Sequence, residues 1–266
     1  MFRAAERLVP LLPQAWLPAL ASLFGTLAFA LAGKARMTAT DNVRTVAPTG
    51  GAPLVRGMFV NNAQYYLSLF SARPRDFRLA DHQLMGWHHF QEALAFGRGC
   101  LLVSPHIGDI NYYAEVFVAA GLPVNVLVEN LKPAKLSRLV VELRRRRGVN
   151  VIVGGRGALR EVYRALDRNE IVAIISDRDV DGSGQPVEFF SRRARMPNLA
   201  FVVGARRQTP VVFGTAIRQA NGRIISDVRS PFIPSGDETQ AMARVFEEFI
   251  SRWPDQWLAF QPVFDG

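Results

Sequence analysis

The sequence predicts an α/β protein with a mostly parallel central sheet flanked by helices and an apolar helical appendage at the N-terminus. Three observations carry this. Short apolar runs alternate with helix-patterned stretches from about residue 98 to 215. Those runs are too short for helices and read as strands buried on both faces. The start of the chain differs from the rest, because no residue from Leu8 to Gly33 is charged.

The elements follow in order. Pro10, Pro13 and Pro18 confine the first helix to residues 16–33, the lower limit for crossing a bilayer. Arg3 and Arg7 precede this stretch and Lys34 and Arg36 follow it, so charge bias gives it no orientation. A membrane-embedded or interfacial anchor, a buried core helix and a cleaved signal all fit it, and the adjoining basic charge favours the membrane. Helices are expected over 37–47 and 54–70. Residues 100–105 form an apolar run ending in proline, a buried strand. A helix over 109–120 is closed by Gly121. Strands at 124–128, 149–153 and 171–176 are separated by helices at 133–147 and 157–168. A hairpin-like region at 186–190, a helix at 197–207, strands at 210–217 and 223–229, a helix at 238–252 and a short strand at 258–261 complete the chain. The simplest organisation is an appendage over 1–50 and one α/β domain over 51–266.

Composition sets limits. The 266 residues are 49% hydrophobic and 21% charged, as in globular proteins with a sizeable core. Cys100 is the single cysteine, which excludes a disulfide scaffold and a four-cysteine zinc site. The net charge of +9 points to an anionic partner: nucleic acid, a phosphate-bearing substrate or an anionic membrane.

Open α/β sheets bind ligands at the carboxyl ends of their strands. His106 stands at such an end, in Ser-Pro-His-Ile-Gly-Asp-Ile-Asn. Gly108 would allow a substrate close approach, and the next helix offers N–H groups to developing negative charge. As a bland alternative, His106 caps that helix. Ser176, Asp177, Arg178 and Asp179 stand at a second strand end, where two acids around an arginine can orient a histidine and bind a phosphate. A loop salt bridge is the alternative there.

Together these blocks resemble the bacterial lysophospholipid acyltransferase superfamily, nearest to its lipid A biosynthesis and phosphatidylinositol mannoside acyltransferases. The resemblance rests on His106 with Gly108, the Asp177-Arg178-Asp179 block, the stretch Val187-Glu188-Phe189-Phe190-Ser191-Arg192-Arg193-Ala194 and the closing stretch from Pro254 to Pro262. It covers nearly the whole chain. It implies a glycerol-3-phosphate acyltransferase-like fold and a membrane-associated enzyme, at the cytoplasmic face of the inner membrane. That enzyme would move a fatty acyl chain from an acyl-CoA or acyl carrier protein thioester to a hydroxyl of a membrane glycolipid. The family histidine, here His106, is the general base on that hydroxyl, with no metal, cofactor or covalent acyl-enzyme.

One departure matters. The family motif places an acid five residues after the histidine, and this chain has Asn111. Asn111 can accept a hydrogen bond from an imidazole but cannot neutralise its charge. Asp177 is the preferred substitute. Asp109 is a second candidate, and a weakened site a third outcome. Arg178 is assigned to a substrate phosphate or an oxyanion, or else to an ion pair with Asp179. Arg192 and Arg193, with Arg195, and the basic stretch of Lys132, Lys135, Arg138 and 144–147 can meet lipid phosphate or an acidic carrier protein, or simply be solvated.

Other signals are weaker. Residues 154–157 open a helix after a strand and read as a tight turn, with a bound phosphate as the alternative, although they match no phosphate-loop pattern. His88 and His89 lack metal-ligand spacing, so no metal is expected. Ser104, Ser176 and Ser183 lie in no nucleophile elbow. Trp253, Trp257, Phe189 and Phe190 read as core, with an acyl chain lying on Phe189 and Phe190 as the alternative for that pair. Two rival functions are a catalytically silent lipid-binding paralogue, motivated by Asn111, and a basic nucleic-acid-binding protein. The latter lacks any recognised module, so nucleic acid is not an expected partner.

Overall fold

A computed structural model describes residues 8–71, 79–129, 133–180, 182–219 and 221–265. Arg3, Arg7 and Lys132 lie outside them.

Three helices open the described chain: α1 (Leu17–Leu31), α2 (Gly33–Val46) and α3 (Gly51–Phe70). The expected first helix stops at Ala32, where the axis bends by 97° into α2. No single described helix is long and apolar enough to cross a membrane. Leu17, Ala21 and Gly25 form the buried stripe of α1, with helical spacing. A Cβ on Gly25 would lie 2.4 Å from the Val60 Cα, so glycine lets α1 cross α3 backbone to backbone.

The sheet has seven strands: β1 (Gln83–Met85), β2 (Cys100–Ser104), β3 (Val124–Val128), β4 (Asn150–Val153), β5 (Ile171–Ile175), β8 (Val211–Arg218) and β9 (Ile224–Val228). Their order is β1-β9-β8-β2-β5-β3-β4, antiparallel only between β8 and β9. β6 (Gln185–Phe189) and β7 (Arg192–Met196) form a separate hairpin. Phe190 and Ser191 turn it with φ of 49° and 59°, left-handed without a glycine.

Helices α4 (His88–Ala95), α5 (Ile110–Ala119), α6 (Ala134–Arg145), α7 (Ala158–Asp167), α8 (Leu199–Arg207) and α9 (Thr239–Arg252) flank the sheet. Side chains of β2 alternate between two core layers. Leu101 and Val103 join Val162, Phe201, Phe246 and Trp257, whereas Cys100 and Leu102 join Phe90, Val116 and Phe117. Buried on both faces, β2 sits at the centre of the sheet.

Two expectations change. Residues 258–261 form no strand. There, a single bridge pairs Trp257 with Ile107, so the C-terminal chain docks on the His106 loop without extending the sheet. β1 was not anticipated, since it is three residues long and largely exposed at the sheet edge.

Candidate active site

Register builds the site. β2 and β5 pair in parallel with Ser104 opposite Ile175. His106 and Asp177 each lie two residues beyond that pair, so both leave the carboxyl end of the sheet side by side. Pro105 has no N–H to continue the ladder and releases the chain there.

The two side chains meet. His106 Nδ1 lies 2.6 Å from Asp177 Oδ1, and the His106 backbone N–H donates to Oδ2 at 3.0 Å. Trp257 Nε1–H also donates to Oδ2, at 2.8 Å. Asp177 is 2% exposed and His106 31%. Burial works against the carboxylate charge. The neighbouring His106 charge, its ring N–H, the Trp257 N–H and the His106 backbone N–H outweigh burial and hold Asp177 below its ordinary value. An ionised Asp177 can only accept, so His106 Nδ1, which faces it, is the donor in this pair. The other ring nitrogen, Nε2, has no hydrogen-bond partner among the described residues.

The C-terminal chain clamps this loop. Gly108 N–H donates to the Gln256 carbonyl at 2.9 Å, and Leu258 N–H donates to the His106 carbonyl at 2.7 Å. Gly108 has φ +69°, and a Cβ there would lie 1.9 Å from the Ala216 carbonyl oxygen. The close approach expected for a substrate is thus made by the β8 backbone.

The other candidates face elsewhere. Asp109 is buried and ion-paired with Arg218. Asn111, in the first turn of α5, accepts from Arg144 Nε at 3.0 Å and makes no hydrogen bond to His106. Arg144 Nη2 donates to Tyr65 Oη at 2.9 Å. Arg178 bonds Glu129 and Gln261, not Asp179. Asp179 accepts from the N–H groups of Gly182 and Gly184 at 2.9 and 3.0 Å and closes its own loop. Arg192 holds Thr45 and the Asp265 carbonyl and lies over the Phe264 ring. Arg193 accepts from Asp265 N–H through its carbonyl at 2.9 Å.

The basic run also divides. Arg144 is buried, and Arg147 pairs with Glu115 and with the carbonyls of Ser68, Leu69 and Ser71. Neither is a solvated helix end, whereas Arg145 and Arg146 are exposed. Sequence reasoning placed Trp257 in the core only. It is fully buried and is also the third member of the His106–Asp177 unit. The signal available was the C-terminal block that carries it.

This arrangement is an imidazole with a buried carboxylate behind it, at the carboxyl end of a parallel sheet. A sequence model of the bacterial lipid A biosynthesis acyltransferases matches residues 2–265. The chain belongs to that family. Relatives include the phosphatidylinositol mannoside acyltransferase of Mycolicibacterium smegmatis, 29% identical over 79% of this chain and 71% of the relative. A Mycobacterium tuberculosis protein of the same name is 27% identical over 79% of this chain and 70% of its own. The protein is thus an acyltransferase.

Within this acyltransferase, an apolar cavity of about 20 Å³ lies behind the histidine loop, lined among others by Ser104, Ile107, Ile110, Tyr113 and Phe117. It has room for a water-sized group, not for an acyl chain. Phe189 is buried, stacked on Phe264 and edge-on to Trp257. One cluster with metal-ligand chemistry appears among the described residues: His88, His89 and Glu92, with ligand atoms within 4.8 Å, at the exposed start of α4. Spacing alone had not joined Glu92 to the histidines.

Proposed function

We propose that the protein transfers a fatty acyl chain from a thioester donor, an acyl-CoA or acyl carrier protein, to a hydroxyl of a phosphate-bearing membrane glycolipid. The observation carrying this is the His106–Asp177 pair, whose Nδ1–H···Oδ1 contact leaves Nε2 unengaged at the surface. His106 Nε2 takes the acceptor hydroxyl proton as its oxygen attacks the thioester carbonyl. The tetrahedral intermediate collapses, the C–S bond breaks and the thiolate takes the proton back from the imidazolium. Asp177 stays ionised throughout and stabilises that cation. The thioester is a co-substrate, and the reaction calls for no metal or cofactor.

Asp177, not Asn111 or Asp109, serves as the acid. Asn111 faces Arg144, so its lack of charge is no argument for a silent lipid-binding paralogue. The acceptor class follows from the +9 charge and from the relatives, whose names specify a mannosylated phosphoinositide. Membrane association follows from α1, whose Leu23, Phe24, Leu27 and Leu31 are 49–83% exposed. This face suits a helix lying in the interface of the cytoplasmic leaflet.

Thiol release from acyl-CoA and from acyl carrier protein, with and without lipid extract, tests the reading. Lipid-dependent release is expected from wild type, falling roughly 10²–10⁴-fold in His106→Ala. Release that His106→Ala leaves intact, or none with either donor, would overturn it.

A further inference from the structure

Arg144 is 9% exposed and Asn111 4%, so the guanidinium and the amide meet inside the protein. Among the described residues, the two hydrogen-bond partners of the Arg144 guanidinium, the Asn111 amide and the Tyr65 hydroxyl, are neutral. Among the described residues no carboxylate pairs with it, whereas its neighbour Arg147 has Glu115. A buried cation without a counter-charge is costly.

The donors around it are also unmatched. Asn111 Nδ2 is enclosed and has no hydrogen-bond partner. Tyr65 Oη accepts from Arg144 and donates to no described group. Arg144 Nη1 makes no hydrogen bond to a described residue. Asn111 lies in the first turn of α5, whose N-terminal end carries partial positive charge. A buried cation, three donors without a described partner and a helix N-terminus thus lie in one neighbourhood, at the position where the family motif has an acid.

We infer that Asn111, Arg144 and Tyr65 form an anion site that takes the phosphate group of a ligand, either a lipid headgroup or free phosphate. A phosphate presents acceptors to all three donors and neutralises Arg144. Because the Asn111 amide is enclosed, the proposed binding requires the long Arg144 side chain to swing away from Asn111 toward the ion.

The test is thermal unfolding of the full chain in low-millimolar inorganic phosphate at constant ionic strength. Wild type is expected to gain a saturable rise in Tm of about 2–4 °C. Asn111→Asp, nearly isosteric, supplies the missing charge internally. It is expected to start at a higher Tm and to respond to phosphate no longer. An equal response in both proteins, or none in wild type, overturns the site. Vesicles of phosphatidylcholine with or without phosphatidylglycerol then identify the source. If the site takes a headgroup, phosphate competes with phosphatidylglycerol vesicles for wild type but not for Asn111→Asp. If it takes free phosphate, vesicle binding is the same for both proteins while the Tm response stays.

Discussion

Trp257 donates its indole N–H to Asp177 Oδ2 at 2.8 Å, while the other oxygen, Oδ1, holds His106 Nδ1 at 2.6 Å. The two contacts divide the carboxylate. The indole, fixed in the core, pins one oxygen so that the other can face only the imidazole. A side chain read from sequence as packing alone thus determines how the acid presents itself.

Trp257→Phe keeps an aromatic ring and removes the donor. Losing a hydrogen bond to a charged group costs about 1.5–3 kcal/mol. The Trp257 N–H is one of the groups that outweigh burial at Asp177, so its loss raises the carboxyl proton affinity. The expected outcome is a roughly tenfold or larger fall in kcat, with the acid limb of the kcat/KM profile displaced to higher pH. A profile superimposable on wild type would show that the indole serves packing alone.

Asp177 also predicts a stability profile. Its folded-state carboxyl lies below the ordinary value, so its contribution is present above about pH 3.9 and is lost as pH falls through the depressed value. Glu170 and Glu238 are depressed too, and contribute equally to wild type and variant. Wild-type Tm should therefore fall more steeply below about pH 4 than that of Asp177→Asn. Differential scanning calorimetry from neutral pH downward reads this directly, and parallel curves would contradict it.

Much of this was legible in sequence, for physical reasons. β2 and β5 are covered on both faces, so they appear as unbroken apolar runs that end at their turns. The parallel order then places His106 and Asp177 together at the carboxyl end of the sheet. β1 left no trace, because three residues at an exposed edge need no apolar pattern. The clamp on His106 was invisible because Gln256 and Leu258 act through backbone groups, which any residue supplies. Asn111 stood in the expected motif position, yet the first turn of α5 carries it to Arg144. Motif spacing fixes a place along the chain and not the direction a helical side chain takes.

Gly108→Ala tests the loop geometry. Alanine at φ +69° is strained, and its Cβ would lie 1.9 Å from the Ala216 carbonyl oxygen. The strain is about 1–3 kcal/mol. Relief requires the His106 loop to move away from β8, which disturbs its bonds to Gln256 and Leu258. We expect Tm to fall by several degrees and kcat to fall with KM little changed, because the imidazole proposed as base is displaced while the rest of the surface persists. A loss confined to KM would place Gly108 in substrate contact instead.

The last prediction concerns the exposed face of α1. Leu23, Phe24 and Leu27 are 49–54% exposed, so they contribute little to the fold, while Leu17, Ala21 and Gly25 hold α1 on α3 from the other side. Burying a Leu or Phe side chain fully is worth about 1.5–3 kcal/mol, and roughly half of that remains available here. Phe24→Glu with Leu27→Glu replaces two such contacts by charges that an anionic surface repels. Co-sedimentation with phosphatidylglycerol-containing vesicles should fall by roughly tenfold or more, since each 1.4 kcal/mol is a factor of ten. Tm should stay near wild type, because both side chains are about half exposed and the buried stripe of α1 is formed by Leu17, Ala21 and Gly25. Thiol release from a water-soluble donor and a detergent-dispersed acceptor should also persist. Unchanged sedimentation would remove α1 as the membrane contact, and a large drop in Tm would make its outer face a packing surface.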